Sequence, residues 1–182
     1  ETGLKKLKPE PVDLNLIIDN AMAYTSSQLR EKNIALRIDI AKSLQPIHVD
    51  REAMQQIMIH LLQNAGAATP VEGTISLRVR TQKDANQEHV LIQVSDTGGG
   101  IPADKQSRIF AAFEQADTSM TRQYGGLGIG LAMALRMARQ MGGRISLESD
   151  GATGSKFTLH LPNAMLCPVP AGQTPFRARH KG

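Results

Sequence analysis

Three groups of residues in this sequence have the types and spacing that chemistry needs. Asp96 follows the run VLIQVS and precedes Thr97, Gly98, Gly99, Gly100 and Ile101. A carboxylate at a strand end, followed by backbone without side chains, can accept a hydrogen bond from an exocyclic amine while the chain passes close to a planar ring. The same residues describe, equally well, a tight strand-to-helix turn with a capping Asp. Further on, Gly125, Gly126, Gly128 and Gly130 lead into a helical pattern. Free backbone N–H groups at the positive end of a helix make a phosphate site, and a flexible connector is the bland alternative. The third group centres on Asn64. In the helical stripe Met54, Ile57, Met58, Leu61, Leu62 and Ala65, the residues His60, Asn64 and Ala67 share one flank. An amide oxygen at that core edge can coordinate Mg²⁺ beside phosphates, although an isolated Asn there is usually a cap or a solvated residue.

Other reaction classes drop out on inspection. The chain has no G-x-x-x-x-G-K-[ST] and no G-x-G-x-x-G, since Met133 stands where the last glycine would be. The H-R-D and D-F-G signatures of protein kinases are missing. His48, His60, His89, His160 and His180 are too dispersed for a metal site, and no nucleophile elbow accompanies them.

Composition narrows the field further. Apolar residues make up 41% of the 182, as in an ordinary globular domain, so neither a disordered tail nor a membrane span is expected. The 21 Lys and Arg against 17 Asp and Glu leave a net charge of only +4, and the basic residues are scattered rather than striped. With two Tyr, four Phe and no Trp, stacking platforms are scarce, so no nucleic-acid partner is expected. Cys167, the single cysteine, fits a reducing compartment. The chain starts at Glu1 with no signal peptide, which reads as a fragment of a longer protein.

The elements that must position these groups follow from periodicity. Residues 1–12 read as a basic, proline-bearing linker. A helix is expected from Asp13 to about Lys32, its stripe formed by Leu16, Ile17, Asn20, Ala21, Tyr24 and Leu29. Ile34, Leu36, Ile38 and Ile40 alternate as in a half-buried strand. A second helix starts behind Asp50, a plausible N-cap, and stops before Pro70. Strands are expected over 74–80 and 89–95, joined by the polar connector QKDANQE. A short helix follows at 103–114, and a polar stretch at 115–124. The second glycine cluster then opens a helix carrying Leu131, Leu135, Ala138 and Met141. Strands at 144–148 and 156–161 flank the turn SDGATGS, and residues 163–182 read as a flexible tail or linker. Five strands and three main helices predict an α+β fold, a two-layer α/β sandwich over residues 13–162.

In this order the motifs resemble those of the catalytic ATP-binding domain of sensor histidine kinases, a superfamily shared with gyrase, heat-shock ATPase chaperones and mismatch-repair ATPases. HLLQNAGAATP resembles the N box, DTGGGI the first glycine box, IFAAFEQ the phenylalanine box, GGLGIGL the second glycine box and DGATGSKF the third. The resemblance implies a Bergerat-type ATP-binding fold with a mixed five-stranded sheet on about three helices. It implies that Asp96 binds the adenine amine and that Asn64 holds Mg²⁺. Gly98, Gly100 and Ile101 would shape the base pocket. Gly126, Leu127, Gly128, Ile129, Gly130 and Leu131 would cradle phosphates beneath a mobile lid over 102–124. Phe110 and Phe113 match the phenylalanine box, two aromatics that can equally be core, with Phe110 in the nucleotide set. Arg122 sits where basic residues at the lid end approach the γ-phosphate, a solvated lid charge being its alternative. Ser155 and Lys156 are expected to serve the strand.

The sequence departs from the family pattern at three positions. His60 replaces the usual Asn, or the general-base Glu of related ATPases; it can bond a metal-bound water or pack at the core edge. Ala67 replaces a common Lys, and Leu127 a common Thr. The resemblance implies a kinase domain using ATP and Mg²⁺, in which His60, Asn64 and Arg122 form the catalytic set. It would present the γ-phosphate to a histidine on an upstream helical dimerisation and phosphoacceptor domain of a homodimeric, cytoplasmic or membrane-anchored sensor. A response-regulator receiver domain is the implied onward partner, and direct membrane contact by this segment is not expected. The alternatives are a conformational ATPase and a non-catalytic nucleotide-sensing or docking module.

Overall fold

The computed structural model describes residues 6–42, 44–84, 87–107 and 128–162. Helix α1 (Leu14–Glu31) begins where Asp13 accepts from the Asn15 N–H. It stops at Asn33, whose φ of 51° lets its own N–H reach Arg30 O at 3.0 Å while the Ile34 N–H reaches Leu29 O at 2.9 Å. Paired bonds of this kind satisfy carbonyls that the helix leaves open. The buried face of α1 is Leu14, Ile17, Ile18, Ala21, Thr25 and Leu29. Leu16 and Tyr24, expected in the stripe, are exposed instead. Ile18 and Leu14 fit the i, i+3, i+4, i+7 rhythm around Ile17 and Ala21 better, and they set the helix phase.

Helix α2 (Arg51–Ala68) starts behind Asp50, which accepts from the Ala53 N–H at 2.8 Å. All six residues of its expected stripe are buried. Helix α3 (Gly128–Gln140) ends as α1 does, with Gly142 at φ 76° and the Gly143 N–H on Ala138 O. Of the helix expected at 103–114, residues 103–107 are helical and the remainder lies outside the described residues.

The main sheet comprises β2 (Ala35–Ile40), β4 (Thr74–Asp84), β5 (Gln87–Asp96), β6 (Arg144–Ser149) and β7 (Ser155–Leu161), in the order β2-β4-β5-β7-β6. The β2–β4 pair is parallel and the others are antiparallel, so the sheet is mixed. Alternate residues (Ile75, Leu77, Val79, Val90, Ile92, Val94, Phe157, Leu159, Leu161) point into the layer between sheet and helices. The sheet's opposite face carries charge, including Asp39 paired with Arg78 and Arg80 across β2 and β4. As an edge strand, β2 leaves Ile38 exposed despite its alternation. Strands β4 and β5 run further into the polar connector than alternation alone predicts.

A second sheet pairs β1 (Pro9–Val12) with β3 (Ile47–Asp50), an element absent from the sequence expectation. The sequence places residues 9–12 in the linker because two prolines break the usual strand signal. In a two-stranded edge pair only alternate residues need donate, so Pro9 and Pro11 are tolerated. Burial of Val12, Ile47 and Val49 holds the pair against the core.

Candidate nucleotide site

Asp96 is the last residue of β5 and is 7% exposed. Its Oδ1 accepts from the Gly98 N–H at 2.9 Å and its Oδ2 from the Ser155 hydroxyl at 2.6 Å. Ser155 is the first residue of β7 and the register partner of Asp96. The carboxylate is thus oriented from two sides. Thr97 ties the following turn to β4 by accepting from the Thr74 N–H at 3.0 Å.

The glycines beside it are demanded by protein neighbours. A Cβ on Gly98 would lie 2.3 Å from the carbonyl oxygen of Ala68, at the end of α2. A Cβ on Gly154, whose φ is 131°, would lie 2.0 Å from the Asp96 carbonyl oxygen. Gly100 has φ 75° and abuts Gly151 and Ala152. Gly99 meets nothing within 4 Å, so its side faces open space. The first glycine turn and the DGATGS turn therefore pack on each other, about fifty residues apart in sequence. Ser149 joins them: its Oγ accepts from the Ile101 N–H at 2.9 Å and donates to Gly154 O at 2.7 Å. Gln106 adds a side-chain bond to Ile101 O at 2.6 Å. Asp150 braces the same turn through the N–H groups of Ala152 and Thr153, both at 2.8 Å, and the Thr153 hydroxyl. That hydroxyl, then those amides, lowers the Asp150 carboxyl to about 2.

Asn64 lies on α2 and is 8% exposed. Four residues earlier on the same helix row, His60 has a buried Nε2 that finds no hydrogen-bond partner among the described residues. Burial pushes its imidazole below the ordinary 6.5, and a bond with Gln63 offsets part of that. This row faces α3: Gln56, one turn before His60, lines a cavity of about 540 Å³ with Met133, Met137 and Gln140. Among the described residues, none of the candidate site residues lines that cavity. Leu131 is buried in the core at 1% exposure, and Ile101 packs partly against the core. Gly128, Ile129 and Gly130 form the first turn of α3. Phe110, Phe113, Arg122, Gly126 and Leu127 lie outside the described residues.

These residues suit a purine nucleotide with a hard cation. A carboxylate held in this way can accept a hydrogen bond from an amine N–H, Asn64 offers an amide oxygen of the kind Mg²⁺ prefers, and a helix start such as that of α3 is the kind of place where phosphate meets backbone N–H groups. The orphaned Nε2 of His60 is a further polar group on that row. Among the described residues there is no group of three or more His, Cys, Asp or Glu side chains that could hold a metal ion.

Sequence reasoning missed two contributors, Ser155 and Ser149. A hydroxyl directly after Gly154 was the available signal for Ser155, but only the β5–β7 register brings it to Asp96.

Residues 49–165 match the family of histidine kinase-, DNA gyrase B-, and HSP90-like ATPases, and the chain belongs to it. It is 36% identical, over 91% of its length, to the circadian input-output histidine kinase CikA of Synechococcus elongatus, of which it covers 22%. Full-length ShkA, solved in complex with AMPPNP, superposes with a TM-score of 0.73 at 26% identity, covering 91% of this chain and 33% of ShkA. Histidine kinase ThkA, solved in complex with the response regulator TrrA, shares the fold, with a TM-score of 0.67 at 24% identity over 86% of this chain and 42% of ThkA. The chain thus spans about a fifth of the curated CikA sequence and a third of the ShkA chain.

Proposed function

We propose that this domain binds Mg·ATP and presents the γ-phosphate to a histidine on a separate helical dimerisation domain, as the catalytic part of a two-component sensor kinase. The observation that carries this reading is the doubly held carboxylate of Asp96, packed through Gly98 against the end of the helix that bears Asn64. In this reading Asp96 accepts from the adenine amine, and Gly98, Gly100 and Ile101 border the base. Asn64 would lend its amide oxygen to Mg²⁺, with His60 as a further hydrogen-bonding group on the same helix row and Arg122 as a cation for the γ-phosphate; the metal would neutralise phosphate charge. The first turn of α3 meets the phosphates. Catalysis is then positioning and charge neutralisation, which is most of what phosphoryl transfer asks of a protein. A response-regulator receiver domain takes the phosphoryl group onward, by analogy with the ThkA–TrrA pairing. No described helix is long and apolar enough to cross a membrane; we place the domain on the cytoplasmic side, where ATP is.

Thermal melts with ATP, ADP and GTP, with and without Mg²⁺, test the site, because a ligand of the folded state raises its melting temperature. An adenine-selective rise is expected for the wild type. Asp96→Asn should abolish it and Asn64→Ala should remove its Mg²⁺ dependence. A wild type that melts identically with and without nucleotide would end the proposal. A supplied phosphoacceptor domain separates kinase from sensor: nucleotide binding without phosphotransfer to it would favour a non-catalytic module.

A further inference from the structure

Helices α1 and α3 close with their own left-handed residue, but α2 does not. Its C-cap, Thr69, is extended at φ −83° and ψ 130°, and Pro70 follows. Thr69 closes back on Ala65 O through its N–H and its hydroxyl, and the carbonyls beyond are served from outside, by one side chain. Lys32 Nζ donates to Gly66 O at 2.9 Å, Thr69 O at 3.0 Å and Ala67 O at 3.3 Å. An ammonium has three protons, so these three acceptors saturate it, and its charge opposes the negative end of the helix. The carbonyl that Lys32 skips is that of Ala68, and Gly98 rests against it. Gly98 in turn donates its N–H to Asp96 Oδ1.

Lys32 is held firmly enough to act as an anchor. It is the C-cap of α1, directly before the Asn33 stop, and its carbonyl accepts from the Glu72 N–H at 2.8 Å. Gln28, one turn earlier on α1, packs its side-chain amide against Gly66.

We propose that Lys32 is a positioning residue for base recognition, fixing the last turn of α2 against which Gly98 sets the direction of the Asp96 carboxylate. It touches no reacting group. The proposal rests on the reading of Asp96 as the acceptor of the adenine amine.

Calorimetric titration of ADP and ATP into the chain, well below its melting temperature, tests it. Lys32→Met should weaken ADP and ATP by the same factor, about tenfold, the scale on which outer hydrogen-bond partners of a binding group act. The ratio of ATP to ADP affinity and the Mg²⁺ dependence should stay as in the wild type, because the phosphate end is untouched. A purely stabilising lysine would lower the melting temperature and leave both affinities unchanged, and that result overturns the proposal. Lys32→Gln keeps a neutral donor and is the second variant should Lys32→Met fail to fold. It must give an intermediate loss, and wild-type affinity in it is equally fatal. Asp96→Asn in the same titration separates the two ideas. If it binds as the wild type does, the base reading falls and takes this proposal with it. If it loses binding while the Lys32 variants do not, only the proposal about Lys32 falls.

Discussion

Ser155 donates its hydroxyl to Asp96 Oδ2 at 2.6 Å, across the β5–β7 pair in which the two residues are register partners. Both are 7% exposed, so the carboxylate of the candidate base site is aimed by a neighbour strand and not by its own loop alone. Removing that donor leaves a buried oxygen unsatisfied, which has a larger effect than the bond's net worth. Ser155→Ala should therefore weaken ADP binding about five- to tenfold, in line with about 1–1.4 kcal/mol, the lower end of what a buried group left without its partner costs. Titration calorimetry decides it; unaltered affinity would show that Gly98 alone suffices to orient Asp96.

The glycines beside the site should separate into strict and lenient positions. Gly154→Ala places a Cβ 2.0 Å from the Asp96 carbonyl oxygen at φ 131°, so a loss of about 3 kcal/mol or more is expected. Gly99→Ala meets nothing within 4 Å and should change folding stability by about 0.5 kcal/mol or less. Urea denaturation of the two variants side by side is the check. Equal losses would contradict the packing described for the two turns.

Stability should fall on mild acidification through two histidines. Burial lowers His60 below its ordinary 6.5, and burial with Arg144 and His89 lowers His160. The unfolded chain then binds protons that the folded chain refuses, so stability is full above 6.5 and declines as pH drops from there toward the lowered folded values. Melting curves from pH about 7.5 to about 5.5 should show this decline, and His60→Asn should reduce it. A wild type as stable at the acid end would refute the assignment.

Asp150 should act in a lower window. Its folded carboxyl sits at about 2 against an ordinary 3.8, so its stabilisation is present above 3.8 and is lost as pH falls toward 2. Asp150→Asn should blunt that acid loss and loosen the turn. The amide signals of Ala152 and Thr153 are the direct readout, moving in the variant while those of α1 stay in place. Unmoved signals would mean that Ser149 holds the turn unaided.

Much of this architecture was legible residue by residue. Asp50 marked a helix start because a short acceptor side chain before an apolar rhythm satisfies the first free N–H groups. The α2 stripe and the alternation in β4, β5 and β7 were legible because burial on one face imposes a period. The β1–β3 pair was hidden: prolines mask a strand signal, and four residues are too few for a period to show. The phase of α1 was misread for a related reason, since Leu16 and Tyr24 compete with Leu14 and Ile18 until a neighbour selects the face.

The sequence by itself determined the order of the three helices and the five strands of the main sheet, the N-cap of α2, and the candidate polar groups Asp96, Asn64 and His60. Those depend on local chemistry, which acts over one or two turns of chain. Only the tertiary structure decided that Ser155 faces Asp96, that Ser149 joins the two glycine turns, and that Lys32 closes a helix to which it does not belong. Each of these needs strand register or helix packing to bring together groups 34 to 59 residues apart, with Ser149 lying 48 residues from Ile101. Sequence spacing carries no record of that geometry until the core has formed.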